Sequence, residues 1–148
     1  MDPQIIHALL AWTHHLCAFA LLAVLLAEWC LTAQDLDATG LRHLGRLDLA
    51  YGALAGAMVV AGVARLIWGG KGWTFYSGNP LFWTKLVLFG VMGLLSVVPT
   101  LRILRWRRLA RPLKAAEMQS SRRWMTAQLL LAPPLILMAA LMARGIGH

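Results

Sequence analysis

Apolar residues fall in four long runs, at about residues 5–33, 47–68, 81–104 and 125–143, separated by stretches where charge, glycine and proline gather. Each run can supply the roughly 20 residues needed to cross a hydrocarbon core about 30 Å thick. Backbone polar groups in that core must be satisfied internally, and runs this long and uniformly apolar suit helices rather than barrel strands. The pattern predicts an all-α integral membrane protein, an up-down four-helix bundle forming a single domain over residues 1–148.

The polar positions orient it. The first connection holds Arg42 and Arg46 with Asp35 and Asp37, and the second holds only Lys71. The third, a basic loop over 105–124, carries Arg105, Arg107, Arg108, Arg111, Lys114, Arg122 and Arg123, with Arg102 just before it. Placing the first and third connections in the cytoplasm follows the positive-inside rule and leaves both termini outside, N-out and C-out, in a bacterial inner membrane. The basic loop is then expected to meet anionic lipid headgroups.

Composition agrees. Of 148 residues, 59% are hydrophobic and 14% charged, too little charge to cover a soluble domain. The net charge of +8 is concentrated in the connections, so it signals topology rather than nucleic acid. Cys17 and Cys30 lie on one span and cannot bridge, and no Cys-x-x-Cys suggests zinc. The N-terminus lacks a basic n-region and its apolar run exceeds an h-region, so the first span is expected to be retained.

Local signals add detail. Gly52-x-x-x-Gly56, within a span rich in alanine, reads as a close-packing face. Trp68, Trp73, Tyr76, Phe82 and Trp83 suit an interfacial aromatic belt around a glycine-rich outer loop. Gly70-Lys71-Gly72 lacks the spacing and following helix of a phosphate loop. Pro99 is expected to kink the third span, and Pro133-Pro134 to break the fourth within the membrane. His148 has no assigned role.

The chemistry sits in the first span. His7, His14 and Glu28 are separated by multiples of seven residues, nearly whole pairs of helical turns, and so share one face. His15 points about 100° away. Ionisable groups in a membrane span are costly and mark functional positions by default. Depth sorts the polar residues into two groups. On the inner side, Glu28 or Asp48 is expected to be neutralised by Arg46, fixing the first hairpin; a proton-relay carboxylate is the alternative. On the outer side, His7, His14 and His15 lie at the depth of Arg65 and Lys85. An imidazole within a bundle is a ligand for haem iron or copper, and the two cations could pair with propionates. A histidine hydrogen-bonded across to a neighbouring helix is the plainer reading. Spans two to four contain no histidine apart from His43 in the first connection, so the second axial position would be open, or filled by Lys85, Met58, Met92 or a second copy in a homo-oligomer. Copper, held by His7, His14, Cys17 and methionines, is the rival.

The sequence Trp12-x-His14-His15-Leu16-x-Ala18-Phe19, followed by Arg46-x-Asp48-x-x-Tyr51-Gly52 and Gly62-x-x-Arg65, resembles a bacterial four-span family of predicted inner-membrane proteins of unknown function. Lys71-Gly72-x-x-x-Tyr76-x-x-Asn79-x-x-Phe82-x-x-Lys85 and Gly93-Leu94-Leu95-Ser96-x-x-Pro99-Thr100 continue the likeness over about residues 8–105. More remotely the layout resembles HemJ-type protoporphyrinogen oxidases and CopD-like copper-resistance proteins. The former resemblance implies haem or porphyrin served by His14 or His15, Arg65 and Lys85. The paired histidines, Trp-rich outer loop and long basic third connection depart from that group. The expectation is a membrane protein binding haem b or a porphyrin for electron transfer or porphyrin oxidation, with His14, His7 or His15 as ligand. The alternatives are a copper-handling or transport protein, and a cofactor-free assembly partner.

Overall fold

The computed structural model describes residues 2–69, 72–109 and 111–147; Lys71 and His148, both singled out in the sequence, lie outside the described residues. Four long helices, α1 (Pro3–Leu31), α2 (Ala38–Trp68), α4 (Pro80–Trp106) and α5 (Ala115–Ala143), run up and down, with a short helix α3 (Gly72–Ser77) between α2 and α4. All four long helices have the length and hydropathy of membrane spans. The fold is the expected all-α four-helix membrane bundle. Both termini and α3 lie at one end (the terminal end), and the α1–α2 and α4–α5 connections at the other (the basic end).

Each start has a local cause. Asp2, Asp37 and Asn79 accept from the backbone N–H of Gln4, Gly40 and Leu81 at 2.8–2.9 Å, and Pro3 and Pro80 occupy first-turn positions that need no donor. The fifth helix is capped from elsewhere in the chain. Asp35 Oδ1 accepts from Ala115 N at 2.9 Å, and Glu117 Oε1 accepts from Lys114 N at 3.1 Å.

The helices outrun the apolar segments at the basic end. α2 begins at Ala38 and α5 at Ala115, because the charged turns there are amphipathic. Leu41, Leu44, Met118, Ser121 and Met125 are buried, while Arg42, Arg46 and Arg123 stay exposed. The connection after α4 therefore spans only residues 107–114, and Arg102, Arg105, Arg122 and Arg123 lie on helices. α5 continues through Pro133 and Pro134 without a break. Both rings are exposed, so they avoid the neighbouring helices and the lost backbone bonds interrupt only part of one turn.

Packing is uneven. α1 packs mainly on α2, and α4 on α5, giving two hairpins that meet most closely at the basic end. Leu21, Leu25, Leu36, Leu41, Leu44, Tyr51, Ile103, Leu113, Met118 and Met125 form the main core there. A smaller cluster of Tyr76, Phe82 and Met142 closes the terminal end. Between them the walls thin, and a cavity of about 240 Å³ opens between α2 and α4. Gly52 and Gly56 do not serve the packing expected of them. Both are exposed, and an added Cβ at either would meet nothing within 4 Å. The α2 face turned to α1 instead carries Ala61 and Gly62, the latter against the His14 ring.

The hairpins are stitched at the basic end. Leu36 and Leu113 exchange two backbone hydrogen bonds of 2.9 Å, joining the two basic-end connections. Lys114 Nζ pairs with Asp35 at 2.9 Å, and Arg111 holds Glu117 through two hydrogen bonds. These pairs are solvent-exposed, so they fix register more than they add stability. The Lys114 ammonium, with the Ala115 N–H, holds the Asp35 carboxyl below the usual carboxylate range. At the terminal end, Asn79 Nδ2 donates to Ile146 O at 3.1 Å, and Trp83 Nε1 to Ser77 O at 3.0 Å.

Candidate functional site

The seven-residue stripe on α1 does face inward. His7 and His14 are half-buried, and Leu21 and Glu28 are fully buried. His15 is exposed on the other side, its ring 6.2 Å from that of His14 in an edge-to-face arrangement. Of the two adjacent histidines, His14 is the one in the bundle.

Around His14 the structure gathers groups from three helices. The ring lies against Gly62 of α2, 3.5 Å from where a Cβ would stand, so the residue there must be small. The Met58 carbonyl is within reach of the ring, while Nδ1 is buried without a hydrogen-bond partner. The charges of Arg65, one turn beyond Gly62, and of Lys85 on α4 both act on His14, and on each other. Lys85 is half-buried, its ammonium 5.7 Å from the centre of the Phe82 ring. An imidazole nitrogen without a partner, flanked by two inward cations, is suited to a metal-bearing or hydrogen-bonding group that carries negative charge.

His7 does not join this group. Seven residues place it about 10 Å along the helix from His14. Among the described residues no three His, Cys, Asp or Glu side chains gather as a metal-binding set. A small cavity lies one turn further along α1 from His14. The small cavity lined by Ala18, Met58 and Phe89 holds about 40 Å³.

The basic end holds the second polar group, and here the expected pairing fails. Arg46 is exposed and forms no ion pair with Glu28 or Asp48 among the described residues. Its position on α2 turns it outward from the face that buries Leu44 and Asp48. Asp48 instead accepts from Thr100 Oγ1 of α4 at 2.6 Å and feels the charge of Arg107. Arg107 lies over Gly45, where a Cβ would collide with its side chain, so glycine is needed for that approach. Tyr51 donates to Gln128 Oε1 at 2.8 Å, joining α2 to α5. Thr32, fully buried, closes the end of α1 on the Glu28 carbonyl. Beside this group the Arg122 guanidinium stacks 4.1 Å over the Trp29 ring, and Trp29 Nε1 donates to Thr126.

Sequence reasoning did not find Thr100, Tyr51 and Gln128 as partners. The available signal was Gln128, an uncharged polar residue deep in an apolar run, which the membrane would tolerate only with a partner.

A model of predicted membrane proteins, DUF2214, matches residues 6–147, nearly the whole chain. The chain belongs to the DUF2214 family. The match takes in all four long helices of this DUF2214 protein and both polar groups, the His14 group and the Glu28 group. No curated protein and no solved structure matches the chain.

Proposed function

We propose that this DUF2214 protein lies in a bacterial inner membrane with both termini periplasmic, and that its terminal half binds a b-type haem or related carboxylate porphyrin for electron transfer or porphyrin oxidation. His14 is the axial ligand, and Arg65 and Lys85 neutralise the carboxylates. The observation that carries this reading is the convergence of His14, Arg65 and Lys85 from α1, α2 and α4. The donor chemistry fits such a group. The group would approach His14 from an open side of the bundle or at a contact between two copies. Bound there, haem would supply one-electron chemistry, and the chain's own residues would hold and orient it. His15, exposed, and His7, a distance of two turns away, are not needed as ligands. Copper is less well served, because among the described residues no group of three His, Cys, Asp or Glu side chains includes His14.

The exposed Gly52 and Gly56 favour a second, compatible reading, in which that small-residue face docks a further membrane helix, in a homo-oligomer or an assembly partner. The arginines at the basic end would meet anionic lipid.

Visible absorption of protein purified in mild detergent, oxidised and then dithionite-reduced, tests the haem reading. A Soret band with reduced α and β bands is expected, lost in His14→Ala and kept in His15→Ala. A flat spectrum from protein expressed with ample haem overturns it. Copper on elemental analysis without a Soret band would favour the metal-handling alternative.

A further inference from the structure

The group at the basic end has a feature that haem binding does not use. Glu28 is 2% exposed, and its Oε1 is buried without a hydrogen-bond partner. Asp48 is 9% exposed on α2, and its charge bears on the Glu28 carboxyl. The charged and titratable groups facing the pair come from every neighbouring helix. Tyr51 on α2 lies in the field of both carboxylates, and Arg107, at the end of α4, in that of Asp48. Arg102 of α4 is directed to Ser121 at 3.4 Å, and Arg122 of α5 is stacked on Trp29. Neither carboxylate has an ion-pair partner among the described residues.

A buried carboxylate without a paired cation, in the field of a second carboxylate, is costly unless a proton neutralises it. A multivalent metal is not the natural occupant, because no third acidic, histidine or cysteine side chain joins them among the described residues. A way in is present. Tyr51 and Ser96 line the 240 Å³ cavity between α2 and α4, which has room for water.

We propose that Glu28 and Asp48 form a membrane-embedded proton-binding site, holding one proton between them and exchanging it with water through the Tyr51 side of the α2–α4 cavity. Binding transfers a proton from hydronium to a carboxylate oxygen and leaves water; no electron moves. Thr100 fixes Asp48, and the free Oε1 of Glu28 is the position that takes the proton.

Infrared pH-difference spectroscopy on the full-length protein in lipid nanodiscs tests this. Wild type is expected to show the carbonyl stretch of a protonated carboxylic acid that titrates with pH and is absent from Glu28→Gln. Glu117→Gln, at an exposed pair, should leave that band intact. In Asp48→Asn the band should remain, with its midpoint shifted by about one pH unit or more, a tenfold change in proton affinity. A titrating band unchanged in Glu28→Gln overturns the site. A midpoint unchanged in Asp48→Asn overturns the sharing, and that variant carries the test if Glu28→Gln does not fold.

Discussion

The hydrogen bond from Tyr51 to Gln128 can be weighed most directly. Removing the hydroxyl in Tyr51→Phe leaves the ring in place and takes from Gln128 Oε1 the one donor it has at 2.8 Å. Gln128 is 1% exposed, and its Nε2 keeps only a long 3.5 Å bond to Trp124 O. A typical net hydrogen bond is worth about 1 kcal/mol, and an unsatisfied buried acceptor costs about 1–3 kcal/mol. Hydrogen bonds between membrane helices average nearer 0.6 kcal/mol, because the unfolded chain in the membrane also finds partners. A loss of about 1 to 2 kcal/mol is expected between these limits. Gln128→Leu should cost a similar amount by leaving the Tyr51 hydroxyl unpaired. The double variant removes both partners, and it should be clearly less destabilised than the two single losses together. Reversible unfolding in mixed micelles, followed by circular dichroism, gives the three differences. If the double variant falls within about 0.5 kcal/mol of the sum of the singles, the two residues are not coupled and the α2–α5 link is not an energetic one.

Leu44, fully buried in the basic-end core, should lose about 2–5 kcal/mol on change to Ala, measured by the same unfolding assay. Asp35 should give a pH dependence. A carboxyl held low in the folded state favours folding above its unfolded value, near pH 4, and that contribution disappears as pH falls through the folded value. Below about pH 4 the unfolding temperature of wild type should therefore drop more steeply than that of Asp35→Asn. Orientation is checked by alkaline phosphatase fused at the C-terminus, which should be active if the termini are periplasmic. Anionic lipid co-purified with the protein should fall when Arg105, Arg108 and Arg111 are changed together to Gln, and be unaffected by Arg144→Gln.

The architecture was legible because a bilayer imposes long apolar runs, and the four helices follow them. Helix ends were less so. Hydropathy marks where a chain can meet hydrocarbon, whereas α2 and α5 start where Asp37 and Asp35 supply acceptors, about nine residues earlier. The seven-residue spacing put His7, His14 and Glu28 on one face, since that follows from helix geometry alone; that the face turns inward came from the structure. Choosing between His14 and His15 required the neighbouring helix, whose Gly62 receives one ring. Pairing Asp48 with Arg46 relied on sequence proximity. Two residues apart on a helix, these side chains point in different directions, and Asp48 found Thr100 across the bundle instead.

The distribution of hydrogen bonds has a mechanical consequence. Among the described residues, the side-chain hydrogen bond joining α2 directly to α4 is the one from Thr100 to Asp48, at the basic end, beside the Leu36–Leu113 stitch. Farther along, Val59, Phe89, Met92 and Gly93 border the gap with apolar atoms alone. The two hairpins are thus held by polar bonds at the basic end and by apolar packing of Leu66, Tyr76, Phe82 and Met142 at the other. Parting α2 and α4 between those ends gives up dispersion contacts that lipid tails can replace, and breaks no side-chain hydrogen bond between the two helices among the described residues.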